Sequence, residues 1–197
     1  MSDIILESGG NSFIERVFEE QLKKRKIIIN EEINSDIVER AIIQILNWNA
    51  EDDESDIPVN KRKPITLYIN SPGGEVGIGF VLCNVMENSK TPIETITLGL
   101  SASMAGYIAM AGTKGMRKCY PFSTFLIHSG SMVVGGNAND VESTVKYYSD
   151  MKTDIANFIY KHTKIDTDTY KQYQKEEWDL ASNTAKDLGV VDIIIGE

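Results

Sequence analysis

Histidine and cysteine are scarce in this chain, two of each in 197 residues. Cys83 and Cys119 have no neighbouring thiol or imidazole to complete a metal motif, and a pair of cysteines makes no disulfide framework. A zinc module and a stapled secreted scaffold are therefore excluded, and neither metal nor cofactor is expected. Thiols used this sparingly fit the reducing cytosol. Positive charge is also short: 20 lysines and arginines face 29 aspartates and glutamates, for a formal net charge of −9. No basic stripe forms, so nucleic acid is not an expected partner. The opening Met1-Ser2-Asp3-Ile4-Ile5-Leu6-Glu7 lacks the basic start and sustained apolar stretch of a leader peptide. One uncharged run, Thr95 to Thr113, spans 19 residues, enough to cross a bilayer. Gly99, Ser101, Ser103, Gly106 and Gly112 punctuate it, however, and strand-like alternation gives way to a helical pattern halfway along. It reads as a buried strand followed by a buried helix, and a soluble protein without a membrane partner is expected.

What the chain does contain is ordinary for a globular domain, 42% apolar and 25% charged residues. Strand-like and helical patterns alternate, which predicts a single α/β domain over residues 1–197. Ser12 to Lys24 is amphipathic at helical spacing, Lys26 to Asn30 is a short strand, and Asn34 or Ser35 can cap a helix reaching about Asn49. The acidic run Glu51-Asp52-Asp53-Glu54-Ser55-Asp56 is expected as a solvated loop, part of an insertion over about 52–64 that also carries Lys61-Arg62-Lys63. After it come a strand at Ile65–Ile69, a helix near Val76–Asn88, a strand at Ile93–Leu98, a helix beginning at Ser103 and a strand at Phe125–Ile127. Asn139 to His162 is the longest helical pattern, with Val141, Val145, Tyr148, Ile155 and Phe158 recurring. His162, at its end, is expected to meet the helix's own last carbonyls.

Three motifs sit where apolar runs stop: Asn70-Ser71-Pro72-Gly73-Gly74, Gly99-Leu100-Ser101-Ala102-Ser103-Met104-Ala105-Gly106, and Leu126-Ile127-His128. A serine hydroxyl becomes a nucleophile when a base takes its proton, and the oxyanion that forms on the attacked carbonyl needs waiting N–H donors. Gly73 and Gly74 let backbone approach a ligand with no side chain between. The small residues around Ser103 permit a sharp strand-to-helix turn that would put Ser103 at a helix start, and His128 ends a strand. Ser101 reads as a turn or packing residue.

These motifs, in this order and at spacings of 29 positions from Gly74 to Ser103 and 25 from Ser103 to His128, resemble the proteolytic subunits of the Clp protease. Those subunits are self-compartmentalising serine peptidases of the ClpP/crotonase fold, built of repeated strand–helix units with a protruding handle helix. The likeness runs from about Phe13 to the C-terminus and includes the closing segments Glu177–Ser182 and Leu188–Asp192. It implies Ser103 as nucleophile, His128 as general base, and Gly74 and Met104 as oxyanion donors. It also implies extended peptide bound along Gly73, Val76, Gly130 and Ser131. The family's acid is an aspartate, at a position occupied here by Glu177, and the arginine usual beside it is replaced by Glu176; Asp179 is the alternative acid. The proline that commonly follows the histidine is absent, replaced by Ser129-Gly130-Ser131.

By the same resemblance, residues 1–11 form an axial segment and residues of about 129–162 the handle region. The chain would act on unfolded polypeptides as a cytoplasmic homo-oligomer of two stacked heptameric rings, fed by a Clp-type AAA+ unfoldase. Two other classes stay open: the altered acid region Lys175-Glu176-Glu177 leaves room for a non-catalytic ring subunit pairing with an active paralogue, and the shared fold with its oxyanion hole leaves room for a crotonase-type acyl-CoA enzyme.

Overall fold

A computed structural model of the chain describes residues 13–128, 130, 134–173 and 177–197. Its spine is a mostly parallel sheet whose central strands are buried on both faces, as near-continuous apolar runs require. Helix α1 (Phe13–Lys23) leads into β1 (Lys26–Ile29), which pairs with β2 (Ile65–Ser71) in the register Ile27↔Leu67. Between them lies α2 (Ser35–Glu54), capped by the Asn34 side chain, which accepts from the Ile37 N–H. Helix α3 (Val76–Glu87) follows β2, and β3 (Ile93–Ala102) follows α3.

Strand β3 is the hub because it forks. One edge pairs with β2 from Ile65↔Ile93 to Ser71↔Ser101; on the other edge the first half pairs, through Thr95↔Arg117, with β4 (Arg117–Cys119), which in turn pairs with the two-residue β7 (Ile193–Ile194). Its last residues pair instead with β5 (Thr124–Ile127), in the register Ala102↔Leu126. Helix α4 (Met104–Met110) starts two residues beyond β3 and is buried at all seven positions, which packs it between the sheet and α3. The only antiparallel pair in the described sheet joins β5 to β6 (Trp178–Ala181). Two short helices, α6 (Thr167–Tyr173) and α7 (Ser182–Asp187), complete the C-terminal part.

The long helix α5 (Ala138–His162) is docked only by its last turns, where Ile155 and Ile159 are buried. Its earlier turns leave Val145 and Tyr147 exposed. No helix among the described residues is long and apolar enough to cross a membrane; Thr95–Thr113 divides into β3 and α4 as expected.

Two expectations fail for the same reason, long-range charge pairing. The acidic run is not a solvated loop at its start: α2 continues through Glu54, and only residues beyond it form the connection, with a single 3₁₀ turn at Val59–Lys61. Asp52 is buried because Arg25 grips it with two hydrogen bonds of 2.6 and 2.7 Å and the Thr91 hydroxyl adds a third at 2.8 Å. Asp53 pairs with Arg62 and Lys90. His162 does not meet its own helix's carbonyls: its Nε2 lies 2.5 Å from Glu87 on α3, and its ring stacks on Phe158. A second buried pair joins Arg117 to Asp192, and Arg117 also donates to the His162 carbonyl at 2.6 Å, tying β4, α5 and the C-terminal segment together. Among the described residues, no buried side-chain polar atom lacks a hydrogen-bond partner.

The Arg25 hydrogen bonds hold the Asp52 carboxyl below its ordinary value of 3.8. A depressed carboxylate contributes stability above its unfolded pKa and loses it as pH falls through the folded one. Asp52→Asn is expected to cost about 2–3 kcal/mol at pH 7, somewhat under a fully buried broken pair because Arg25 keeps some solvent contact. Urea midpoints of both proteins between pH 7 and 3 check this, with the gap narrowing only below about pH 4.

Candidate active site

Strand β3 ends at Ala102, and the chain turns into α4 through a single residue, Ser103, at φ 52° and ψ −125°. Positive φ is strained for a residue with a Cβ and persists only where the surroundings enforce it. Here the Ser103 N–H donates to the Leu126 carbonyl on β5 at 2.8 Å. The Ser103 carbonyl accepts the first helical bonds, from Gly106 and Tyr107 at 2.9 and 3.3 Å. A strand–turn–helix elbow of this kind lifts a serine hydroxyl out of the sheet edge. Ser101, just before it, is buried with its hydroxyl 2.9 Å from that of Thr97, a packing role as expected.

His128 follows the last residue of β5, and its Nε2 lies 2.7 Å from Ser103 Oγ. Both residues are half-buried, so the pair is shielded from bulk water but reachable. The parallel register of β3 with β5 explains the meeting: Ala102↔Leu126 puts Ser103 and His128 just past the carboxyl ends of neighbouring strands.

The glycine loop closes the other side. Ile33 forms a bridge opposite Gly74, with its N–H donating to the Gly73 carbonyl at 2.7 Å and its carbonyl accepting from the Glu75 N–H at 2.9 Å. Bonds through the flanking residues turn the Gly74 N–H away from Ile33. Gly73, at φ 95°, lies against the elbow: a Cβ there would stand 2.6 Å from the Ala102 carbonyl, 2.8 Å from Ser103 Cβ and 3.1 Å from the Met104 N. The Met104 N–H precedes the first helical bonds of α4, so the helix ladder makes no use of it. Gly73, the Met104 N–H and Ser103 thus crowd one small volume, while Gly74 packs on Ile33.

Asn70 was legible only as a motif letter, yet it braces the fork. The β2–β3 register slips between Ile69 and Ser71, and the Asn70 Oδ1 fills the irregularity by accepting the Leu100 N–H at 3.0 Å. A polar residue closing an apolar strand run was the available signal.

Residues expected along a bound peptide are unevenly placed. Val76 opens α3 beside the glycine loop, half-buried. Gly130 has φ 76°, and the Tyr148 hydroxyl of α5 would lie 2.9 Å from a Cβ placed there. Ser131 lies outside the described residues. The acid is not brought into contact: among the described residues, no hydrogen bond or ion pair joins Glu177 or Asp179 to His128, and both carboxylates are exposed. Register separates the two candidates. The antiparallel pairs Leu126↔Asp179 and Ile127↔Trp178 continue to set Glu177 opposite His128, while Asp179 sits two residues farther along the same face. No cluster of His, Cys, Asp or Glu among the described residues could hold a metal.

The family model for Clp protease matches residues 9–197. The chain is 35% identical to the ATP-dependent Clp protease proteolytic subunit 2 of Corynebacterium glutamicum, over 99% of this chain and 94% of that protein. It is 33% identical to the protein of the same name from Corynebacterium diphtheriae, over 95% and 90%. The proteolytic subunit 1 of Bacillus cereus is 32% identical over 91% and 89%.

Because a side chain at position 73 must displace the elbow backbone, Gly73→Ala is expected to destabilise the fold by about 1–3 kcal/mol. It should also slow fluorophosphonate labelling of Ser103 at least tenfold. Thermal melting and labelling kinetics of the purified variant check both.

Proposed function

Because the chain belongs to the Clp protease family, we propose that it is a proteolytic subunit in which Ser103, His128 and Glu177 carry out peptide-bond hydrolysis. The observation that carries this reading is the 2.7 Å contact between Ser103 Oγ and His128 Nε2 at the end of a strained elbow. Ser103 Oγ attacks the scissile carbonyl while His128 Nε2 takes its proton, and the N–H groups of Gly74 and Met104 receive the oxyanion. The imidazolium then protonates the leaving amine, giving a Ser103 ester. Water, losing a proton to His128, attacks that ester, and Ser103 leaves with the proton returned. Base assistance of this kind is worth about 10² to 10⁴ in rate, and one oxyanion donor roughly 10² to 10³.

Glu177 holds the imidazole tautomer in this scheme. Strand register supports it over Asp179, and in this reading assembly brings its carboxylate, exposed in the single chain, onto His128. That exposure is also what favours a second reading, a non-catalytic subunit within a mixed ring. Peptide enters extended, pairing backbone to backbone beside Gly73–Val76 and along Gly130–Ser131, which binds without demanding one sequence.

The assembly we assign is two stacked heptameric rings in the cytoplasm, served by a Clp-type AAA+ unfoldase. It is supported by the outer turns of α5, whose exposed Val145 and Tyr147 need a partner to cover them. Residues 1–11, assigned to the axial entrance, lie outside the described residues.

Ser103→Ala is expected to abolish both fluorophosphonate labelling and cleavage of a fluorogenic peptide at unchanged particle mass; retained turnover would refute the nucleophile, and an unlabelled wild type would favour the non-catalytic reading. In the same assay Glu177→Gln should lose at least 100-fold and Asp179→Asn little, the reverse order reassigning the acid. Tyr147→Asp should halve the particle mass measured by light scattering, and an unchanged mass would remove α5 from the ring-to-ring contact.

A further inference from the structure

Two donors, four residues apart in the chain, grip the same strand. The Ser103 N–H donates to the Leu126 carbonyl at 2.8 Å, and the Tyr107 hydroxyl, in the first turn of α4, donates to the His128 carbonyl at 3.1 Å. Leu126 and His128 are two residues apart on extended chain, so their carbonyls point the same way. Ser103 caps α4 and Tyr107 ends its first turn, its N–H donating to the Ser103 carbonyl at 3.3 Å, so the two donors are held together. The second tether therefore acts on the residue whose imidazole meets Ser103 Oγ.

Little freedom remains in the tyrosine that makes it. Tyr107 is 2% exposed, its ring stacked on Phe80 with centroids 5.7 Å apart and met edge-on by Phe158 at 6.1 Å. Burial pushes the phenol far above its ordinary value of 10.0, so it stays a donor across the working range of pH. Phenylalanine at this position would keep the ring packing and lose only the tether.

We propose that Tyr107 is a positioning residue for His128, its hydroxyl fixing the backbone at the end of β5 so that the imidazole is held in line with the Ser103 hydroxyl. The helix that carries the nucleophile thereby sets the place of the base. This rests on the assignment of His128 as the base, and the test keeps the two apart.

Wild type, Tyr107→Phe, Tyr170→Phe and His128→Ala are compared as assembled particles. A fluorophosphonate titration counts reactive serines, its time course gives a rate constant per reactive serine, and peptide turnover gives kcat and KM. Tyr107→Phe should label the same fraction about tenfold more slowly, with kcat reduced alike and KM within about twofold. Tyr170→Phe removes another buried tyrosine hydroxyl, one that among the described residues makes no hydrogen bond to His128, and should match wild type. A Tyr107→Phe constant within about twofold of wild type overturns the proposal. So does an equal slowing in Tyr170→Phe, or a smaller labelled fraction at an unchanged constant, which marks a purely structural role. Wild-type labelling in His128→Ala instead overturns the assignment of the base.

Discussion

Ser103 keeps a φ of 52° because the chain is gripped on every side of it. The Leu126 carbonyl holds its N–H, the first turn of α4 holds its carbonyl, and Gly73 leaves no space into which the elbow could relax. The first of these contacts depends on the fork of β3, which releases β4 after Thr97 and takes up β5 at Leu100. Without the fork, β5 would not lie beside the end of β3, and His128 would end a strand elsewhere. Strain of one to a few kcal/mol at a single residue is sustainable only when many ordinary contacts over-determine it. The wholly buried α4 supplies them.

Charge does for the periphery what packing does for the elbow. In a chain so rich in carboxylates, the acids that matter structurally are those paired with a buried or partly buried arginine. Arg117 takes Asp192 and the end of α5, and Arg25 takes Asp52 across 27 positions of sequence. Breaking one partner of such a pair costs far more than the pair contributes against an apolar substitute, so these contacts specify which segments meet more than they add to stability.

The parallel strands were readable because burial on both faces demands unbroken apolar, β-branched runs, and the runs at Ile65 and Ile93 have them. The elbow was readable because small residues cluster where the strand stops. Strands β4 and β7 were not: they have three and two residues, and β4 carries Arg117 in the core, which no apolar pattern reveals. The end of α2 was misread because four acids in succession look solvated until Arg25 and Thr91 are brought to Asp52 by the fold. His162 finds Glu87 from 75 positions away, and its role was equally invisible. At the site, the order and spacing of three motifs pointed to the meeting of Ser103 and His128, whereas which residue stands across from His128 depends on the register of β5 with β6, which no local pattern carries. Local chemistry is written in local sequence; partners that arrive from another strand are not.

Helix α5 is also a mechanical element. Its 25 residues are clamped at one end by buried Ile155 and Ile159, by Phe158 packed on Tyr107, and by His162 and Lys161 on Glu87. The 13 residues before Met151, which also packs on the core, make an arm of about 20 Å, so a tilt of about 10° at the docked turns carries the far end through roughly 3 Å. Run in reverse, a load at the far end reaches the clamp as torque, delivered to the ring of Phe158 and through it to the first turn beyond Ser103.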